Sequence, residues 1–258
     1  MHLFSSETFD FLESKYHQYN NVSFIEKDPI FIPHQFSKKE DIEIAAFLTS
    51  TIAWGQRKTI LNNSIKLLEL MDHTPFEFVT SFTQQDLKKF NNFTHRTFNG
   101  IDCSCFLLSL QQIYLKHGGL ESVFTESLNV SNCSIANQIS NFRKTFFQLS
   151  HSSRTLKHIS DPLKNSSAKR ICMFLRWMVR KDQNGVDFGI WNSIPTSCLA
   201  IPLDVHSSRI ARNLSLLSRT QNDWKAVMEL TDALKLYDFN DPVKYDFALF
   251  GTGVNEKF

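Results

Sequence analysis

Lys169 and Asp204 are the two residues of this 258-residue chain whose settings point to covalent chemistry. Lys169 lies in NSSAKRICMFLRWMVRK, residues 165–181, where Ala168, Ile171, Cys172, Leu175, Met178 and Val179 recur at helical spacing. The pattern predicts a helix with one apolar face. With Ser166 or Ser167 as its cap, Lys169 sits off that face in the first turn, beside the positive end of the helix dipole. A cation is disfavoured there, which marks the lysine as a candidate amine nucleophile. Asp204 lies in AIPLDVHSSRIARNLSLLSR, residues 200–219. Pro202 stops any preceding helix, and Asp204 is placed to cap the next one through backbone N–H groups. A carboxylate fixed in this way can stabilise a developing oxocarbenium ion on a sugar, or accept a proton. The stretch between the two residues has room for a helix, a turn and a return to the same cleft.

The elements that must position them are helices. Residues 6–19 read as amphipathic. Ser37 is the expected cap of a helix running to Trp54, with Ile42, Ala45, Ala46, Leu48 and Ile52 on its apolar side. Gly55 ends it, and Gln56 stands at the junction before a helix over 57–71. Thr74-Pro75 pairs a cap with a first-position proline. Helices over 103–117, 119–127 and 134–149 follow, then an Asp161-Pro162 turn and the lysine helix. Later helices start at Asp204, near Asn222-Asp223 and at Asp241-Pro242. No segment shows the alternation of a strand. The expectation is an all-α, two-lobed helical fold, with residues 30–130 as one lobe and residues 1–29 plus 131–258 as the other.

Charge is unevenly spread although the net is only +2. Residues 1–150 carry 13 Lys and Arg against 15 Asp and Glu, residues 151–220 carry 11 against 4, and residues 221–258 carry 4 against 7. A basic zone between acidic flanks suits a polyanion. The five cysteines, Cys103, Cys105, Cys133, Cys172 and Cys198, match no metal-ligand spacing and suggest no disulfide framework. A reducing cytoplasm is therefore expected, with no metal, iron–sulfur cluster or other cofactor. The first residues lack the pattern of a signal peptide, and no apolar run is long enough to span a membrane.

IPLDVHSSRIARNL resembles the aspartate motif of the helix-hairpin-helix DNA glycosylase superfamily, in which His follows the Asp by two residues and Arg comes after. The resemblance implies that Asp204 is the catalytic carboxylate. Many members carry a glycine-rich hairpin ending in the lysine, and residues 180–186 hold no such hairpin. SAKRICMFLRWMV is similar instead to the lysine helix of the archaeal 8-oxoguanine glycosylase branch, which places Lys169 at the nucleophile position and makes HISDPLKNSSAKR a divergent hairpin. The chain also resembles, over most of its length, an uncharacterised bacterial family of this superfamily.

Further segments extend the likeness. KYDFALFGTG resembles that branch's last helix, which implies that Asp246 and Phe250, four residues apart on one helical face, contact an extruded base. Phe250 stands where the branch prefers Trp. STIAWGQRKT resembles the segment that supplies a base-pocket glutamine, here Gln56 beside Trp54. Met173 would form the opposite wall, and main-chain groups near Pro202 would read the base edge. Arg170, Arg176, Arg180, His206 and Arg209 would meet the DNA backbone. The implied activity is base-excision glycosylase with apurinic-site lyase chemistry on an oxidised purine. The partner would be double-stranded DNA with a damaged base, bound by a monomer near the nucleoid and away from membranes. The alternative is a glycosylase-like DNA-binding protein without catalysis.

Overall fold

The computed structural model describes residues 4–129, 133–149 and 151–256. In chain order the helices are α1 (Ser6–Tyr19), α2 (Lys39–Thr51), α3 (Arg57–Glu69), α4 (Pro75–Ser81), α5 (Gly100–Lys116), α6 (Leu120–Thr125) and α7 (Ile135–Phe146). Then come α8 (Lys169–Val179), α9 (Val205–Asn213), α10 (Trp224–Lys235) and α11 (Tyr245–Asn255). Short 3-10 turns join several of them. Strands β1 (Thr94–His95) and β2 (Phe98–Asn99) make a two-residue antiparallel hairpin that sequence alternation is too short to reveal. The all-α expectation holds at the level of class. Among the described residues no helix is long and apolar enough to cross a membrane.

Two compact units divide the chain. One holds residues 1–26, 129–137 and 161–258, and the other holds 27–128 and 138–160. Residues 138–160 therefore fold with 27–128, not with the C-terminal part as the sequence suggested. The reason is aromatic. Phe142 stacks on Phe124 with ring centroids 4.0 Å apart, and Phe146 meets Phe106 edge-on at 4.9 Å. Phe47 touches Phe106, Phe142 and Phe146, so the interior of this unit is built from rings on α2, α5 and α7. Such pairs add roughly 0.5–1.5 kcal/mol each beyond the area they bury.

Local capping explains several boundaries. Asn99 accepts from the backbone of Ile101 and Asp102, while Asp102 accepts from Asn99 N–H, so this reciprocal box starts α5 at Gly100, earlier than expected. At α2 the cap position falls on Lys38 rather than Ser37, and no side chain caps it.

In the other unit, α11 packs between α1 and α9. Its FGTG sequence is what permits this. A side chain on Gly251 would overlap the Tyr19 ring of α1, and one on Gly253 would stand 2.9 Å from His206 Cβ of α9. Both glycines have helical backbone and are there for space, not for conformational freedom. Gly251→Ala is expected to lower stability by about 1–3 kcal/mol, the usual effect of overpacking, as read from a denaturant midpoint. A variant as stable as the parent would show that Tyr19 can move aside freely.

Candidate active site

All of the site described here lies in the unit of residues 1–26, 129–137 and 161–258. Asp204 caps α9, and its two oxygens do different work. Oδ1 accepts from the backbone N–H groups of His206 at 2.8 Å and Ser207 at 2.9 Å. Oδ2 is turned away from the cap and lies 3.2 Å from Lys169 Nζ. The lysine side chain keeps 31% of its exposure and the aspartate 12%, so the pair is reachable from solvent without being fully hydrated.

Lys169 is the first residue of α8, and neither Ser166 nor Ser167 caps it. The cap position is Ala168, which is buried and left-handed at φ 47° and makes no side-chain bond to the helix. Left-handed backbone in a residue with a Cβ costs roughly 1–2 kcal/mol. Asn165 is left-handed as well, at φ 62°. Its carbonyl accepts from Trp224 N–H, its Oδ1 accepts from Lys225 N–H, and its side-chain amide donates to Asp223. The chain between the two left-handed residues is thereby tied to the start of α10, and α8 begins at Lys169.

Asp246 of α11 belongs to the same cluster. It is buried, hydrogen-bonded to Arg176 Nη1, and contacted by Ser207 Oγ at 3.5 Å. Burial lifts its carboxyl to about 6. Arg176 pulls it down, the Asp204 charge raises it, and Lys169 lowers it again. A folded value above the ordinary one means that protonated Asp246 favours the folded state. That stability is complete below about pH 4 and is lost as pH rises through 6. Asp246→Asn cannot ionise. It is expected to flatten stability between pH 3 and 7 by roughly 3 kcal/mol relative to the parent, measured by denaturation across that range. Parallel curves for the two proteins would contradict the assignment.

Arg176 and Arg180 are not where the sequence put them. They were expected to face a DNA strand, and instead they are 3% and 0% exposed. Arg176 binds Asp246 and, at 3.2 Å, Asp187. Arg180 reaches Asp187, Asp182 and Asp241 at 3.2, 2.7 and 2.8 Å and donates to the Tyr16 hydroxyl at 2.8 Å. Residues 186–191 run back along the last turn of α8, where Phe188 N–H donates to Trp177 and Trp191 N–H to Met178. That return satisfies orphan carbonyls of the helix end and delivers Asp187 between the two arginines. Two of the cations in the basic zone are thus paired with buried or part-buried carboxylates.

The remaining candidates divide by unit. Phe250 is half-buried, with ring contacts to His206 at 6.1 Å and Phe24 at 6.4 Å, both edge-on. His206 Nδ1 lies 3.2 Å from Gly253 O, and exposed Arg209 donates to the same oxygen at 2.9 Å. Met173 and Arg170 are half-buried on α8, and Pro202 is buried ahead of α9. Exposed Gln56 and half-buried Trp54 belong to the other unit. There Gln56 precedes α3 without capping it, and Trp54 stacks with His158 and meets His95 edge-on. Sequence reasoning missed Ser207, Asp187 and Phe24. Only Ser207 carried a signal, as the third residue after a capping Asp. Among the described residues no group of three or more His, Cys, Asp or Glu side chains is arranged to hold a metal.

The chain matches the family model described as protein of unknown function (DUF2400) over residues 28–255. No curated protein and no solved structure matches it. The match covers most of the chain, α2 to α11 and both members of the Lys169–Asp204 pair, and the chain belongs to the DUF2400 family.

Proposed function

We propose that this protein is a DNA glycosylase with apurinic-site lyase activity that removes an oxidised purine from duplex DNA. The observation that carries the reading is the apposition of Lys169 Nζ and Asp204 Oδ2, while Oδ1 is fully occupied as a helix cap. A carboxylate held by two backbone donors keeps its position whatever happens at its other oxygen, which is what a base or an oxocarbenium stabiliser requires. The damaged nucleotide is flipped from the stack. Asp204 takes a proton from Lys169, and the amine forms a bond to C1′ as the C1′–N9 bond breaks and the purine leaves. Opening of the sugar gives an imine, and loss of a 2′ proton expels the 3′ phosphate. Asp246 and Phe250 stand on the helix that would meet the base, one as hydrogen-bond partner and one as ring. The partner is double-stranded DNA, engaged by a monomer.

A panel of duplexes, each with one lesion, assayed for free base and for strand scission, tests this. The expected result is base release from an oxidised purine, together with affinity that falls steeply as salt rises. Absence of duplex binding at low salt, or binding with no product from any lesion, would overturn it.

A further inference from the structure

The dipeptide Asn-Gly occurs twice in the chain, at Asn99-Gly100 and at Asn184-Gly185. In this dipeptide the asparagine side chain is open to attack by the next backbone nitrogen, because glycine puts no Cβ in the way and lets the chain bend. That reaction is one reason asparagine is a thermolabile residue. The structure holds the two pairs in opposite ways.

Asn99 is locked. Its Oδ1 accepts from Ile101 N–H at 3.2 Å and from Arg154 Nη1 at 2.7 Å, and Asn99 N–H donates to Asp102 Oδ2 at 3.0 Å. Gly100 is buried as the first residue of α5. The carbonyl oxygens of Phe90 and Asn91 lie 2.6 and 2.7 Å from where its Cβ would be. The Asn99 side chain cannot turn onto Gly100 N unless the capping box opens.

Asn184 lies in the turn between α8 and the return segment 186–191. Its backbone N–H donates to Asp182 Oδ1 at 2.8 Å, a local turn set by the aspartate. Among the described residues its side-chain amide makes no hydrogen bond. Gly185 is exposed and left-handed at φ 71°, and nothing stands within 4 Å of where its Cβ would be. The side chain has room to swing onto Gly185 N, and water reaches the turn.

We propose that Asn184-Gly185 is a modification site, where water converts the asparagine to aspartate and isoaspartate without an enzyme, while the fold keeps Asn99-Gly100 inert. Gly185 N gives up its proton to solvent base and bonds to Asn184 Cγ. The Cγ–Nδ2 bond breaks, and the amide nitrogen leaves as ammonia. Water then opens the cyclic imide. Cleavage of the Cγ–N bond gives aspartate, and cleavage of the bond from the main-chain carbonyl carbon to nitrogen gives isoaspartate. One water is consumed overall, one ammonia is released, and no electrons are transferred. Either product adds a carboxylate between Asp182 and Asp187, which both pair with Arg180. Isoaspartate also lengthens the main chain by a methylene in the loop that delivers Asp187.

The experiment incubates the full-length native protein in mildly alkaline buffer and follows each asparagine by peptide mapping and mass spectrometry. Hydroxylamine, which cleaves the cyclic imide, is added to a parallel sample. The expected result is loss of the amide at Asn184 at least about tenfold faster than at Asn99, which must wait for local opening. Hydroxylamine is expected to release a fragment ending at Asn184. In protein unfolded by guanidinium the difference between the sites is expected to disappear. Asn184→Gln is expected to abolish that fragment, since the longer side chain closes the larger ring poorly. Similar rates at the two sites in the native protein, faster loss at Asn99, or an intact Asn184 under conditions that convert the unfolded chain would overturn the proposal. None of these outcomes depends on DNA binding or catalysis.

Discussion

Asp204→Asn is expected to slow base release about 10²–10⁴-fold while leaving stability close to that of the parent. The separation follows from the two oxygens. Asparagine is as good a helix cap as aspartate, and its carbonyl can keep the bonds from His206 and Ser207 that Oδ1 now accepts. Its amide nitrogen would take the place of Oδ2, facing Lys169 Nζ, where a donor meets a donor and no proton can be taken up. Thermal denaturation and single-turnover base release on the same preparation read the two effects apart. A large loss of stability with unchanged turnover would mean that Asp204 is only a cap. Asp204→Ala is the contrasting variant, expected to lose the cap as well, at about 0.5–2 kcal/mol.

The largest effect on folding is expected at Arg180. Its guanidinium is 0% exposed and is shared among Asp182, Asp187 and Asp241, with Tyr16 accepting a further bond. Arg180→Met removes the cation and leaves buried Asp187 and part-buried Asp182 and Asp241 without it, a change of the kind that costs on the order of 3–5 kcal/mol. The loss is expected to shrink as pH falls. Burial already raises the Asp241 carboxyl while Arg180 lowers it, so without the arginine protonation neutralises Asp241 more readily. Denaturant titrations of both proteins at pH 7 and pH 5 check this. An equal loss at both pH values would assign the effect to packing of the side-chain stem and not to its charge.

Much of the helical framework could be read from the chain because it is local. The apolar stripe of α8, the cap Asp204 and a helix start near Asn222-Asp223 announce themselves within a few positions, and the structure has caps at Asp204 and Asp223. Three kinds of feature stayed hidden. The lysine helix begins behind a left-handed alanine, a conformation that alanine does not advertise, so the serines were assigned a capping role they do not have. The arginines of α8 counted as surface charge because their partners, Asp187, Asp241 and Asp246, arrive from a return loop and from the start of another helix. Sequence counts charges and says nothing of which ones meet. The boundary between units shifted for the same reason, since Phe142 and Phe146 meet rings on α2, α5 and α6 that lie far from them in sequence.

Asp246 shows how such burial bears on the proposed chemistry. With its carboxyl near 6, it is largely ionised at neutral pH and accepts hydrogen bonds, whereas below pH 6 it presents a proton. Recognition of a base edge through this carboxylate would therefore change between pH 7 and pH 5, in a window set by the protein itself.

Covalent capture gives the most direct test of the central claim. Wild-type protein mixed with lesion-containing duplex and sodium borohydride is expected to form one stable protein–DNA adduct, with peptide sequencing placing the reduced bond on Lys169 and Lys169→Gln giving none. Capture by Lys169→Gln as efficient as that of wild type, or an adduct on another lysine, would contradict the account.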